Sequence, residues 1–92
     1  MESMIHYRIH VTGMVQGVGF RWNAAREAWT RGITGYVKNM PDGSVFIEAE
    51  GTREQLDGFA AWCRSGPGRG FVDYAEVSEG PPAGYSDFTI RH

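Results

Sequence analysis

The chain lacks the features that mark several kinds of protein. A single cysteine, Cys63, stands among 92 residues, so no internal disulfide can form and no disulfide framework organises the fold. That usage fits a reducing compartment, and a cytoplasmic location is expected. No apolar run approaches the roughly 20 residues needed to cross a bilayer. The opening residues also lack a charged segment followed by an apolar core, so neither a membrane partner nor a secretory leader is expected. A basic surplus is missing as well: 9 Lys and Arg face 11 Asp and Glu, for a formal net charge of −2. That balance argues against nucleic acid as a partner, since such proteins ordinarily carry a basic face. No internal repeat, linker or low-complexity tract divides the chain.

What is present describes an ordinary globular protein, with 41% hydrophobic and 13% aromatic residues. A chain of this length can bury one core with little stability to spare, so residues 1–92 are read as a single domain. Nothing in the sequence demands more than a monomer.

Apolar residues alternate at Ile5, Tyr7, Ile9 and Val11, with His6, Arg8 and His10 between them. This is the pattern of a half-buried strand over 4–12, whose second face, with both histidines, is expected to meet solvent. His6 and His10 are poor candidates for a shared metal, because residues four apart in a strand are separated by about 13 Å. No metal site is expected.

The most informative stretch follows, Val11 to Trp22. Glycines at 13, 17 and 19 lie between the strand and a run with helical spacing, and Arg21 closes the loop. Glycine lets a backbone fold tightly and approach a ligand. The start of a helix adds unpaired N–H groups with partial positive charge, and arginine adds a planar fork suited to phosphate or carboxylate. The segment is therefore a candidate oxyanion cradle. It is not a P-loop, because no Lys-Ser/Thr follows the glycines, and the dinucleotide fingerprint fails because the glycines run GxxxGxG. Spacing alone leaves a purely structural turn open.

Helical spacing continues from Trp22 to Thr30, with Ala24, Ala25, Ala28 and Trp29 on an apolar side, and Gly32 stops the helix. Strands are expected over 34–39 and 43–50 around the turn Asn39-Met-Pro-Asp-Gly43. Thr52-Arg-Glu-Gln55 reads as a capping box. It opens a helix whose stripe is Leu56, Phe59, Ala60 and Cys63, which makes Cys63 a core residue rather than a nucleophile. A glycine-rich loop carrying Arg69 follows, with that arginine read as solvated. Phe71–Val77 is read as a strand with an irregularity suggestive of a bulge, Gly80–Gly84 as a connector, and Phe88 and Ile90 as part of a short last strand. The order gives an α+β, ferredoxin-like split βαβ sandwich (βαββαβ), with an antiparallel sheet and two helices on one face.

Val15-Gln-Gly-Val-Gly-Phe-Arg21, followed by Gly35-Tyr-Val-Lys-Asn39, Asp42-Gly-Ser-Val45, Glu50-Gly51 and the closing Tyr85–Arg91, resembles the acylphosphatase family over essentially the whole chain. The resemblance implies the same fold. It also implies hydrolysis of a carboxyl–phosphate anhydride, an acyl phosphate, to a carboxylate and inorganic phosphate, without a cofactor. By this resemblance Arg21 would hold the phosphoryl oxygens together with backbone N–H groups of Val15, Gln16, Gly17, Val18, Gly19 and Phe20. Asn39 would orient the attacking water. Read without the family, Asn39 beside Pro41 is an ordinary candidate for an Asx turn. The family usually has an aromatic where this chain has Asn23 and a leucine or isoleucine where it has Arg31, and Trp22 and Trp29 are expected to supply the missing volume.

The chemistry is compatible with so small a site. The leaving group is a carboxylate whose conjugate acid has a pKa of about 4, so it departs without being protonated. Stabilising the transition state is then mainly positioning and electrostatics. Two alternatives use the same fold: a non-catalytic domain that binds acyl or carbamoyl phosphate, and an RNA-binding module using Tyr36 and Phe46 with Arg8 and Lys38. The second lacks clustered aromatics in its third strand, Ser44–Glu50, which is acidic instead.

Overall fold

A computed structural model describes residues 3–68 and 71–92. Its elements are β1 (Ile5–Met14), α1 (Phe20–Arg31), β2 (Thr34–Asn39), β3 (Val45–Gly51), α2 (Arg53–Ser65), β4 (Phe71–Gly80) and β5 (Phe88–Arg91). The strands form one sheet in the order β4-β1-β3-β2-β5. β1 pairs antiparallel with β3 and β4, and β2 pairs antiparallel with β3. Strands β1 and β2 therefore run the same way. β5 joins the outer edge of β2 in parallel, which makes the sheet mixed rather than wholly antiparallel. Three strands thus deliver their C-terminal ends to one end of the sheet, and that arrangement positions the candidate site.

Alternation fixes which residues meet the helices. Tyr7, Ile9 and Val11 of β1, Val37 of β2 and Val45, Ile47 and Ala49 of β3 are all buried in one core. From above, α1 adds Phe20, Ala24, Ala25 and Ala28, and α2 adds Leu56, Phe59, Ala60 and Cys63. Cys63 is fully buried, and desolvation pushes its thiol far up from the ordinary value, as suits an inert packing residue. The capping box forms: Thr52 accepts from the Gln55 N–H, and the Gln55 side chain accepts from the Thr52 N–H. Gly32, at φ +73°, ends α1. In β4 the register skips Asp73 opposite Thr12 and Gly13, which is the expected bulge. The loop residue Arg69 lies outside the described residues.

Other expectations also change. The helix α1 begins at Phe20 rather than Trp22, because Gly19 completes the turn at φ +80° and Phe20 is already anchored in the core. β4 continues three residues past Val77 to Gly80, held by pairing with β1. The polar face of β1 is not solvated throughout: His6 is 1% exposed. Its Nδ1 is 2.7 Å from Glu50 Oε2, and its Nε2 is 2.8 Å from Glu48 Oε1 without an aligned hydrogen bond. The connector after β4 covers it, with Tyr85 stacked on the imidazole at 6.1 Å. His10, half-buried, contacts Ser44 Oγ through Nε2.

Finally, Trp22 and Trp29 do not fill the core in place of the family's usual residues. Both are about half exposed and meet edge to face. Asn23 instead turns back to donate to the Gly19 carbonyl. Arg31 pairs with Glu27 and lies over Gly58, where α2 presents no side chain.

Candidate active site

The loop between β1 and α1 is built for close approach. Gly17 and Gly19 have φ of +76° and +80°, a region that side-chain-bearing residues rarely enter, and a Cβ on Gly17 would meet nothing within 4 Å. The two helices differ at their starts. Helix α2 has a side-chain cap and Glu54 in its first turn. Helix α1 has neither a side-chain cap nor an acidic residue there. Among the described residues, the N–H groups of residues 16–19 donate to no other part of the chain. An uncapped start with unpaired N–H groups and no competing carboxylate favours an anion.

Two side chains of this segment tie it to neighbouring elements. Gln16 Nε2 donates to the carbonyls of Met40 and Ser44, each at 2.8 Å, and so bolts the loop to the β2–β3 turn. Arg21 Nη1 donates to the Arg91 carbonyl at 3.1 Å and lies 3.3 Å from His92 Nδ1. That uses one corner of a fork with five N–H donors. The result is a cleft of about 270 Å³ whose walls include Val15, Gly17, Gly19, Phe20, Arg21 and Asn39. Gln16 and Val18 belong to the same loop but not to the wall: the Gln16 side chain points to the turn, and Val18 packs against the core.

Asn39, at the end of β2, also lines this cleft. The Asx turn is ruled out for it, because the residue two positions on is Pro41, which has no N–H. Asp42 makes that contact instead, accepting from the Ser44 N–H at 2.9 Å and from its hydroxyl, and these bonds hold its carboxyl below the usual range. The Asn39 Oδ1 atom is buried and, among the described residues, unpartnered. Such an orphaned acceptor is costly unless something fills it.

The cradle, the arginine and the asparagine all fall within the two sequence motifs. The family model described as acylphosphatase matches residues 7–90. The chain belongs to the acylphosphatase family. The acylphosphatase of Thermotoga maritima is 48% identical over 85 residues, spanning 92% of this chain and 94% of that protein. The one from Anaeromyxobacter dehalogenans is 44% identical over 92 residues, covering 99% of each. Among solved structures, the acylphosphatase from Bacillus subtilis superposes with a TM-score of 0.93 at 39% identity, over 96% of this chain and 99% of that one. Hydrolysis of acyl phosphates is therefore the activity of this acylphosphatase-family chain.

Sequence reasoning missed three wall residues, Trp22, Ile90 and His92. Trp22 and Ile90 lie in stretches that resemble the family but were given no role there, and Ile90 and His92 reach the cleft because β5 runs parallel to β2. Among the described residues no three His, Cys, Asp or Glu side chains are grouped as metal ligands, and no helix is long and apolar enough to cross a membrane. Tyr36, a candidate base-stacking residue, is 5% exposed. It donates to Glu48 and is packed by Tyr85 at 5.9 Å, so its ring is not presented for stacking.

Proposed function

We propose that the chain cleaves acyl phosphates by direct attack of water at phosphorus, with the phosphoryl group held by Arg21 and the N–H groups of the Val15–Phe20 loop. The water is held by Asn39. The P–O bond to the acyl oxygen breaks as the new P–O bond forms, and the carboxylate leaves with the electron pair. One proton of the water stays on oxygen and the other passes to a phosphate oxygen, so the products are a carboxylate and dihydrogen phosphate. Asparagine has a donor and an acceptor but no useful basicity, so its role is to aim the water. The observation that carries this reading is that Arg21 and Asn39 line one cleft, while Asn39 Oδ1 is buried and has no partner among the described residues.

The whole site comes from one chain and one sheet end, which supports a single domain acting as a monomer on free small-molecule acyl phosphates. The chemistry requires no metal, cofactor or nucleic acid. The lone, buried Cys63 suits a cytoplasmic location.

Turnover of benzoyl phosphate in the presence of EDTA tests the assignment. Arg21→Ala should lose both binding and rate. Asn39→Ala should lose about a hundredfold in kcat with little change in KM, because a misdirected water is a positioning defect. An Asn39→Ala enzyme with wild-type kcat would remove that residue from the mechanism.

A further inference from the structure

The anion-binding half of the cleft leaves its other wall unexplained. That wall is apolar, made by Val15, Phe20, Trp22 and Ile90. Val15 and Phe20 belong to the core, each 1% exposed, whereas Trp22 is 56% exposed. An indole that large is an unfavourable surface to leave in water, and contiguous exposed apolar area commonly marks a binding surface. Nor is it loose. Its ring meets the Trp29 ring at 5.6 Å and 77°, and Trp29 Nε1 donates to the Phe88 carbonyl of β5 at 2.9 Å. The pair is therefore braced against the sheet edge, and Trp22 stands at the cleft one residue after Arg21.

We propose that Trp22 is the specificity-determining surface for the acyl group, and that the preferred substrates are acyl phosphates whose acyl portion is aromatic or extended and apolar. The inference rests on the acyl-phosphate reading of the same cleft. With the phosphoryl group in the cradle, a planar or extended apolar acyl group gains contact with the indole. An acetyl group is too small to cover it. An acyl group bearing a second phosphate would bring its charge and hydration shell against an apolar ring, which is unfavourable.

The test compares kcat/KM for benzoyl phosphate and acetyl phosphate in the wild type, Trp22→Ala and Trp22→Phe. The wild type should favour benzoyl phosphate. In Trp22→Ala the benzoyl-to-acetyl ratio should fall roughly tenfold, mainly through the KM for benzoyl phosphate, and Trp22→Phe should restore most of it. A ratio within twofold of wild type in Trp22→Ala, or equal losses on both substrates, overturns the proposal. Binding of phenylphosphonate and methylphosphonate by calorimetry reads the same preference without turnover. A wild type that hydrolyses neither substrate yet binds phenylphosphonate more tightly, with the preference lost in Trp22→Ala, would sustain the wall and overturn the hydrolytic mechanism. Equal affinity for the two phosphonates would overturn the wall.

Discussion

Arg21 shows how much one side chain depends on its geometry. Its Nη1 is fixed by the Arg91 carbonyl, which turns the remaining N–H groups of the fork into a preset pair of prongs. A lysine at this position would keep the charge but not the planar, two-pronged contact. Arg21→Lys is therefore expected to be nearly as damaging as Arg21→Ala, with kcat/KM down by about a hundredfold or more. Steady-state kinetics on benzoyl phosphate decide it, and a lysine variant within tenfold of wild type would show that charge alone suffices. Asn23 is a smaller instance of the same dependence. Its amide shares the Gly19 carbonyl with its own backbone N–H, so the last peptide of the cradle is held from two directions.

At the scale of elements, the contact between β2 and β3 is the most sensitive. Gly35 sits at φ +136°, and a Cβ there would lie 1.9 Å from the Glu48 carbonyl oxygen and 2.8 Å from its carbon. Both are backbone atoms of the neighbouring strand, so no side chain can swing away. Gly35→Ala should cost about 3 kcal/mol or more, a large share of the total stability of a small domain. Urea unfolding measures it, and a loss below about 1 kcal/mol would mean that the strands can part locally. The glycine is plain in the sequence, but its reason is not, since the reason is the backbone of a strand met 13 positions later. The same holds elsewhere. Alternation in β1 places His6 on the polar face, but the cover that buries it comes from Tyr85, far along the chain. Elements whose signals are local, such as the Thr52 capping box, the Gly32 stop and the Pro-Asp-Gly turn, are legible in the residues themselves. So are the cradle, Arg21 and Asn39, because two compact motifs contain them. The strand β5 shows in the alternation of Phe88 and Ile90, but its parallel docking on β2 and the tryptophan pair beside it depend on long-range contacts and leave no local trace.

Across the whole molecule, the two ends of the sheet do different work. The C-terminal ends of β1, β2 and β5 carry the cleft. At the opposite end the connector after β4 crosses from one sheet edge to the other before β5 begins. Glu50, near the end of the central strand β3 and only 3% exposed, holds that connector. Its carboxylate accepts the N–H groups of Ala83, Gly84 at 3.0 Å and Tyr85 at 3.3 Å, and is 2.7 Å from His6 Nδ1. Burial alone would raise its pKa, but these hydrogen bonds outweigh it and leave the value below the ordinary 4.5. Between the folded and unfolded values the unfolded chain binds more protons, so stability rises with pH in that window. The Glu50 contribution is complete above about pH 4.5 and is lost as pH falls through the lower folded value. Asp42 is shifted in the same direction, so acid titration of the wild type alone does not isolate Glu50. The difference in unfolding free energy between wild type and Glu50→Gln does isolate it. That difference should be largest near neutrality and should shrink as the pH is lowered below 4.5. A difference that is constant from pH 7 to about pH 3 would mean that the carboxylate charge contributes nothing to holding the connector. The same clasp fixes where β5 enters the sheet, and β5 carries the Arg91 carbonyl that fixes Arg21. Glu50→Gln should therefore also loosen Arg21 from the far end of the molecule and raise the KM for benzoyl phosphate, although no atom of Glu50 approaches the cleft.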